Sequence, residues 1–219
     1  MRSRLLGEFI GTFILVFVGT GAIIVNDMTK ALGHVGVAMT FGLVVMVLVY
    51  ALSHVSGAHL NPAVTVALAA SKDFPAKDVL PYCAAQLAGA AAASGVLRGL
   101  FGNTAHLGAT LPVGSPWQAV LLEMILTFIL MYVIMGTAVH GGAPKGVAGL
   151  AIGGAVGMDA LLGGPITGAS MNPARSFGPA VVSVLMQNHW VYWAGPVLGA
   201  VLASLAYHLL HDAKEPRGV

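Results

Sequence analysis

The residues best placed to do chemistry lie in two short stretches of one design, Ser56-Gly-Ala-His-Leu-Asn61-Pro62-Ala63-Val-Thr65 and Thr167-Gly-Ala-Ser-Met-Asn172-Pro173-Ala174-Arg175-Ser176. Both read as helix starts. Asn is a preferred N-cap, and Pro one place on gives up only an N–H that would be unpaired there anyway. Small residues just upstream, Gly57 and Ala58 in one copy and Gly168 and Ala169 in the other, let the backbone run non-helically and pack close. The chemistry on offer is hydrogen bonding: each Asn oxygen caps its own helix while the amide NH2 stays available to donate. No nucleophile–base pair, phosphate-binding loop or metal-ligand spacing is present, so neither an enzyme nor a metal or cofactor site is expected.

Arg175 is the sharpest single residue. It follows the second Asn by three places, in the first turn of a helix, where the macrodipole disfavours a cation. The equivalent place in the first copy is Val64, so the repeated design does not demand a charge. Inside a membrane an arginine costs several kcal/mol on most scales and commonly faces an aqueous path. A fixed cation and donor in a narrow mouth explains it, and tying down loop carbonyls is a compatible second role.

The elements that position these residues are membrane spans. Of 219 residues 57% are hydrophobic and 8% charged, with mean hydropathy +0.86, against ~25% charged in soluble domains. A net charge of +2 gives no case for nucleic acid, and the lone Cys83 excludes an internal disulfide. Apolar windows of spanning length are Leu5–Val25, Val35–Ser53, Val79–Leu97, Trp117–Val139, Lys145–Leu162 and Trp190–Leu210. The first contains Glu8 and reads as a span rather than a cleavable signal. The apolar runs after the two Pro residues, Ala63–Ala70 and Ala174–Val184, cross only about half of a ~30 Å hydrocarbon layer at ~1.5 Å per residue.

The halves repeat at an offset of 110 to 115 residues. Glu8-Phe-Ile-Gly-Thr12 matches Glu123-Met-Ile-Leu-Thr127, Gly36-Val-Ala38 matches Gly146-Val-Ala148, and Tyr82 with Gly89 matches Tyr192 with Gly199. Three spans per copy is an odd number, so the second copy enters the membrane upside down and the two Asn-Pro-Ala ends face each other at mid-depth. The expected organisation is one channel domain over 1–219, with repeats 1–103 and 116–219 and a linker at 98–116. With the N-terminus inside, Arg2, Arg4, Lys72, Lys77, Lys145, Lys214 and Arg217 fall on the cytoplasmic side, against Lys30, Arg98 and Arg175 opposite. Both termini are therefore expected in the cytoplasm, in the plasma (cell inner) membrane. Gly pairs four apart (Gly7/Gly11, Gly149/Gly153, Gly195/Gly199) allow close helix crossings.

With twin Asn-Pro-Ala boxes at repeat spacing, the second continuing Arg175-Ser176, the chain resembles the major intrinsic protein family of aquaporins and glycerol facilitators over nearly its whole length. The resemblance implies an all-α bundle of six transmembrane helices and two half-membrane re-entrant helices, one pore per subunit, and a homotetramer. It also implies a pore formed around Asn61, Pro62, Ala63, Asn172, Pro173 and Ala174. Two half-helix N-termini, each with roughly half a positive charge, would repel cations and interrupt a proton-conducting water chain. The family's constriction, carried over by spacing from the boxes, falls on Phe41, Ala160, Ala169 and Arg175.

Water channels of this family place His where Ala160 stands, so a wider, less polar opening is expected. Ser176, Ala180 and Tyr192-Trp193 depart from the glycerol-facilitator pattern, and the mixture is similar to nodulin-like intrinsic proteins and their bacterial relatives. The expected function is a passive channel for water and small uncharged solutes such as glycerol-type polyols and neutral metalloid acids. The alternatives are a water-selective channel or an ion-coupled secondary transporter.

Glu8 and Glu123 are expected to accept hydrogen bonds from the half-helix loops, with proton carriage as the other reading. Asp159 is either a vestibule charge or a partner for Arg175. His59 either lines the pore and senses pH or is a hydrogen-bonded structural residue; Gly57, Ala58, Gly168 and Ser170 are further candidates for the pore wall.

Overall fold

The computed structural model describes residues 1–140, 144 and 146–212. Lys145, Lys214 and Arg217 of the charge count lie outside them. The described chain is helical: α1 Arg2–Thr29, α2 Gly33–Ser56, α3 Pro62–Ala70, α4 Val79–Phe101, α5 Pro116–Ile134, α6 Ala148–Thr167, α7 Pro173–Ser183 and α8 Val191–Asp212. Six of these are long and apolar enough to cross a membrane, α5 being extended to Val139 by a π turn. The two short ones, α3 and α7, have nine and eleven residues, or about 14 and 17 Å at ~1.5 Å per residue. Large apolar side chains stay exposed along the outer faces, for example Met39, Leu43 and Val47 on α2 and Leu198, Leu202, Leu205 and Leu209 on α8. Such faces suit lipid rather than water.

Packing follows the inverted repeat. α1 lies along α4 in the first half as α5 lies along α8 in the second, and α2 crosses α6 between the halves. The crossings are close because glycines face backbone. A Cβ on Gly42 would stand 2.7 Å from the Gly153 carbonyl oxygen, and one on Gly153 2.6 Å from that of Gly42. Side chains there would push α2 and α6 apart.

α6 departs from the expected span. Lys145–Leu162 ends before Gly163-Gly164-Pro165, but the helix continues through Pro165 to Thr167 and is closed by left-handed Gly168. Pro165 has no N–H for the Leu161 carbonyl four places back. His34 of α2 supplies the missing bond, with its Nε2 2.8 Å from that oxygen. A tertiary contact thus repairs what local sequence would break.

The connection between α4 and α5 is more than a linker. Ala105, His106 and Leu107 run left-handed (φ 48°, 47° and 58°), and this turn folds into the bundle with Leu107 fully buried against Ile24 and Leu97.

Candidate functional site

The two re-entrant loops have the same backbone. Positive φ recurs at Gly57, Ala58 and Leu60 in the first and at Gly168, Ala169 and Met171 in the second, followed by extended Asn61 (φ −156°) and Asn172 (φ −150°). Each Asn oxygen accepts from the second backbone N–H beyond it, Ala63 and Ala174 at 2.9 Å, and so caps its half-helix. Pro62 and Pro173 are the first helical residues.

Loops of this shape expose backbone donors, and two buried carboxylates collect them. Glu8 accepts from the N–H groups of His59 (3.0 Å) and Leu60 (2.7 Å), the Ser56 hydroxyl (2.7 Å) and the Gln86 amide (2.7 Å). Glu123 accepts from the N–H groups of Ser170 (2.9 Å) and Met171 (2.8 Å) and from the Thr167 hydroxyl (2.7 Å). Both are fully buried and neither lines the conduit, which gives the proton-carrying reading no path. Tyr82 and Tyr192 add one more equivalent bond each, donating at 2.8 Å to the carbonyls of Ser56 and Thr167. The tyrosines already stand out in the sequence as a repeat pair; Gln86 has no repeat partner to signal it.

The loops are also tied to each other. Asn61 donates from Nδ2 to the Met171 carbonyl and Asn172 from Nδ2 to the Leu60 carbonyl, both at 2.8 Å. Each amide NH2 has two protons, so one is spent on the opposite loop and one is left for the lumen. The asparagines border a cavity of about 560 Å³ that runs from the ends of α2 and α5 past both loops to Arg175.

At the far end of that cavity Phe41, Ala160, Ala169 and Arg175 come together on its wall. The Arg175 guanidinium carbon stands 5.0 Å from the Phe41 ring centroid, within cation–π range. Its Nη1 donates to the Gly108 carbonyl at 2.8 Å. That carbonyl comes from the α4–α5 connection, and nothing in its sequence marks it: three successive non-glycine residues in the left-handed region leave no compositional signature. Phe41 in turn lies on Gly19 of α1, where a Cβ would overlap the ring.

Other candidates sort plainly. Gly57, Ala58, His59 and Ser170 line the cavity. Gly168 does not; it faces Thr110, whose Cγ2 is 2.8 Å from where a Cβ would be. His59 is both on the wall and held, its Nδ1 3.1 Å from Thr65 Oγ1 and its ring packed on Phe74 and Tyr82. Asp159 fills neither expected role. It is buried with Oδ2 unpartnered, forms no ion pair with Arg175 among the described residues and does not line the cavity. One residue along a helix turns a side chain by about 100°, so Asp159 points away where Ala160 points in. Ser176 is buried, hydrogen-bonded to Thr110 (2.7 Å) and Ser170 (2.6 Å), and holds the second loop from behind.

Six membrane helices with two opposed half-helices, around a conduit lined largely by apolar side chains and carrying two Asn amides, one guanidinium and, among the described residues, a single carboxylate, define a passive channel. The family model described as major intrinsic protein matches residues 1–207, and the chain belongs to that family. It is 46% identical over 216 residues to aquaporin NIP1-1 of Oryza sativa subsp. japonica, covering 98% of this chain and 76% of that one. It is 43% identical over 216 residues to nodulin-26 of Glycine max, covering 98% and 80%. In three dimensions it is similar to the X-ray structure of the aquaglyceroporin from Plasmodium falciparum, with TM-score 0.78, 27% identity and coverage of 97% and 96%. The protein is a multi-pass membrane channel for water and small solutes, and not an enzyme.

Proposed function

We propose that the pore is selected at Phe41, Ala160, Ala169 and Arg175 and passes, besides water, uncharged solutes of glycerol size, including polyols and neutral metalloid acids. The observation that carries this reading is the composition of the constriction: two methyl side chains share it with one aromatic ring and one guanidinium. Methyl groups take little room and offer no hydrogen bonds, so a solute's carbon face fits against Ala160, Ala169 and Phe41 while Arg175 and the spare Asn protons hold its oxygens. Cations and protons are excluded by the fixed charge of Arg175 and by the half-helix N-termini meeting at Asn61 and Asn172. Rings of carboxylates, which a cation pathway would use, are missing from the lining; Asp73 is its one carboxylate among the described residues.

On this reading the whole chain is one channel domain, with repeats over 1–103 and 116–219 joined by the 98–116 connection. Both termini are cytoplasmic, which makes the end of the cavity near Ser53, Asp73 and Val139 the cytoplasmic mouth and the Arg175 end the outer one. The membrane is the plasma (cell inner) membrane, and the exposed apolar faces not covered by lipid pack in a homotetramer. The test is stopped-flow light scattering on proteoliposomes with gradients of sucrose, glycerol and a neutral metalloid acid. Water permeation with glycerol and metalloid flux above the lipid background supports the reading. Permeation of water alone overturns it in favour of a water-selective channel.

A further inference from the structure

Three potential metal ligands that are far apart in sequence meet at the mouth where α5 and α8 end. Asp73 lies in the connection after α3, His140 follows the π turn that ends α5, and His208 is on α8. One ligand atom from each lies within 4.8 Å of the others. Asp73 also lines the conduit. We propose that Asp73, His140 and His208 form a binding site for a divalent transition-metal cation of the zinc or nickel class at the rim of the channel.

The donor set is the first argument. Two imidazoles and a carboxylate suit zinc, nickel and cobalt, whereas calcium and magnesium prefer oxygen donors throughout. Geometry is the second. His208 Nε2 is already 3.1 Å from Asp73 Oδ2, and tetrahedral coordination at ~2.0–2.1 Å sets donors roughly 3.3 Å apart, so only His140 has to close in, by at most about 1.5 Å. Support around the ligands is the third. The Ser71 hydroxyl donates to Asp73 Oδ2 at 2.6 Å, and the His140 ring stacks on Tyr207 with centroids 5.0 Å apart. The ring of His140 stands edge-on to that of His208 at 4.8 Å.

His211 is close but otherwise engaged, with its ring stacked on Tyr207 at 4.1 Å and its Nδ1 3.0 Å from the Tyr207 carbonyl oxygen. Asp73 and His140 are exposed and His208 half-buried, so a cation reaches the site from solvent and keeps a water as its fourth ligand. An ion pair between His208 and Asp73 alone would explain two of the three positions. It does not account for a second imidazole brought to the same oxygen from another helix end.

A cation held here would tie the α3–α4 connection, the end of α5 and the end of α8 to one another. The test uses the full-length protein in detergent, free of any histidine tag, titrated calorimetrically with zinc chloride. Expected are one zinc per chain, at least tenfold weaker binding in His140→Ala and His208→Ala, and a similar loss in Asp73→Asn. His106→Ala, in the α4–α5 connection on the opposite side, keeps the wild-type affinity. Cobalt(II) titrated into the wild type gives visible d–d absorption that the His140→Ala/His208→Ala pair abolishes, and zinc raises the melting temperature of the wild type and of His106→Ala but not that of the double variant. A wild-type circular dichroism spectrum and a single size-exclusion peak for every variant without metal show that they are folded. Zinc binding that is equal in the wild type and in the double variant, or no binding in either, overturns the proposal.

Discussion

Asn61 and Asn172 hold each other's loops: each donates a side-chain N–H to the carbonyl just before the other, Met171 in one direction and Leu60 in the other, at 2.8 Å. The caps of the two half-helices are therefore also the bolt between them. These two bonds fix the distance between the two electropositive helix ends, on which the proposed exclusion of protons and cations rests.

Replacing Asn61 by Ala removes both the cap and the cross-loop bond. The cap is worth ~1 kcal/mol and a buried hydrogen bond ~1 kcal/mol, and the Met171 carbonyl is left unpaired. A loss of about 2 kcal/mol or more is expected, read as a lower thermal denaturation midpoint in detergent. Proteoliposomes of the same variant should show a faster collapse of an imposed pH gradient.

Ala160→His places a ring where a methyl group borders the cavity that Arg175 also lines. Glycerol flux should fall about tenfold while water flux falls less than threefold, measured by stopped-flow on the same vesicles. Equal losses for both solutes would show that the position narrows the pore without discriminating.

Arg175→Val installs the residue that occupies the equivalent place in the first repeat, Val64. The Gly108 carbonyl then loses its donor and the Phe41 ring its cation. Solute flux should rise, and a cation leak absent from the wild type should appear in vesicles loaded with a sodium-sensitive dye.

Glu123→Gln keeps shape but turns one acceptor oxygen into a donor facing backbone N–H groups that have no other partner to meet. The wild-type carboxylate takes three hydrogen bonds, from Thr167, Ser170 and Met171. Hydrogen bonds to charged groups are worth ~1.5–3 kcal/mol each, so yield of folded protein and melting temperature should both drop sharply. Glu8→Gln should do the same, since Glu8 takes four bonds, three from the first loop at Ser56, His59 and Leu60 and one from Gln86 of α4.

His34→Ala tests the repair of α6. Without the imidazole, the Leu161 carbonyl that Pro165 cannot serve loses its side-chain partner, and a loss of ~1 kcal/mol is expected. His106→Ala is the matched control. A variant as stable as the wild type would mean that water or lipid headgroups serve the carbonyl equally well.

Much of this architecture can be read from residue order, because its causes are local or periodic. Apolar windows of about twenty residues admit only a membrane span, Asn before Pro is a helix start wherever it falls, and three spans per repeat force inversion by counting. For the same reason Glu8 and Glu123, Arg175 and the paired Asn-Pro-Ala boxes stand out in the sequence alone. Tertiary structure decided what depends on contacts between distant segments. The carbonyl that orients Arg175 comes from Gly108, on a left-handed turn that no residue preference announces. The carbonyl that Pro165 leaves open in α6 is met by His34 of another helix, and Asp73, His140 and His208 share one rim because three separate segments converge there. Periodicity specifies which face of a helix is turned inward; which group waits opposite is set by how the helices cross.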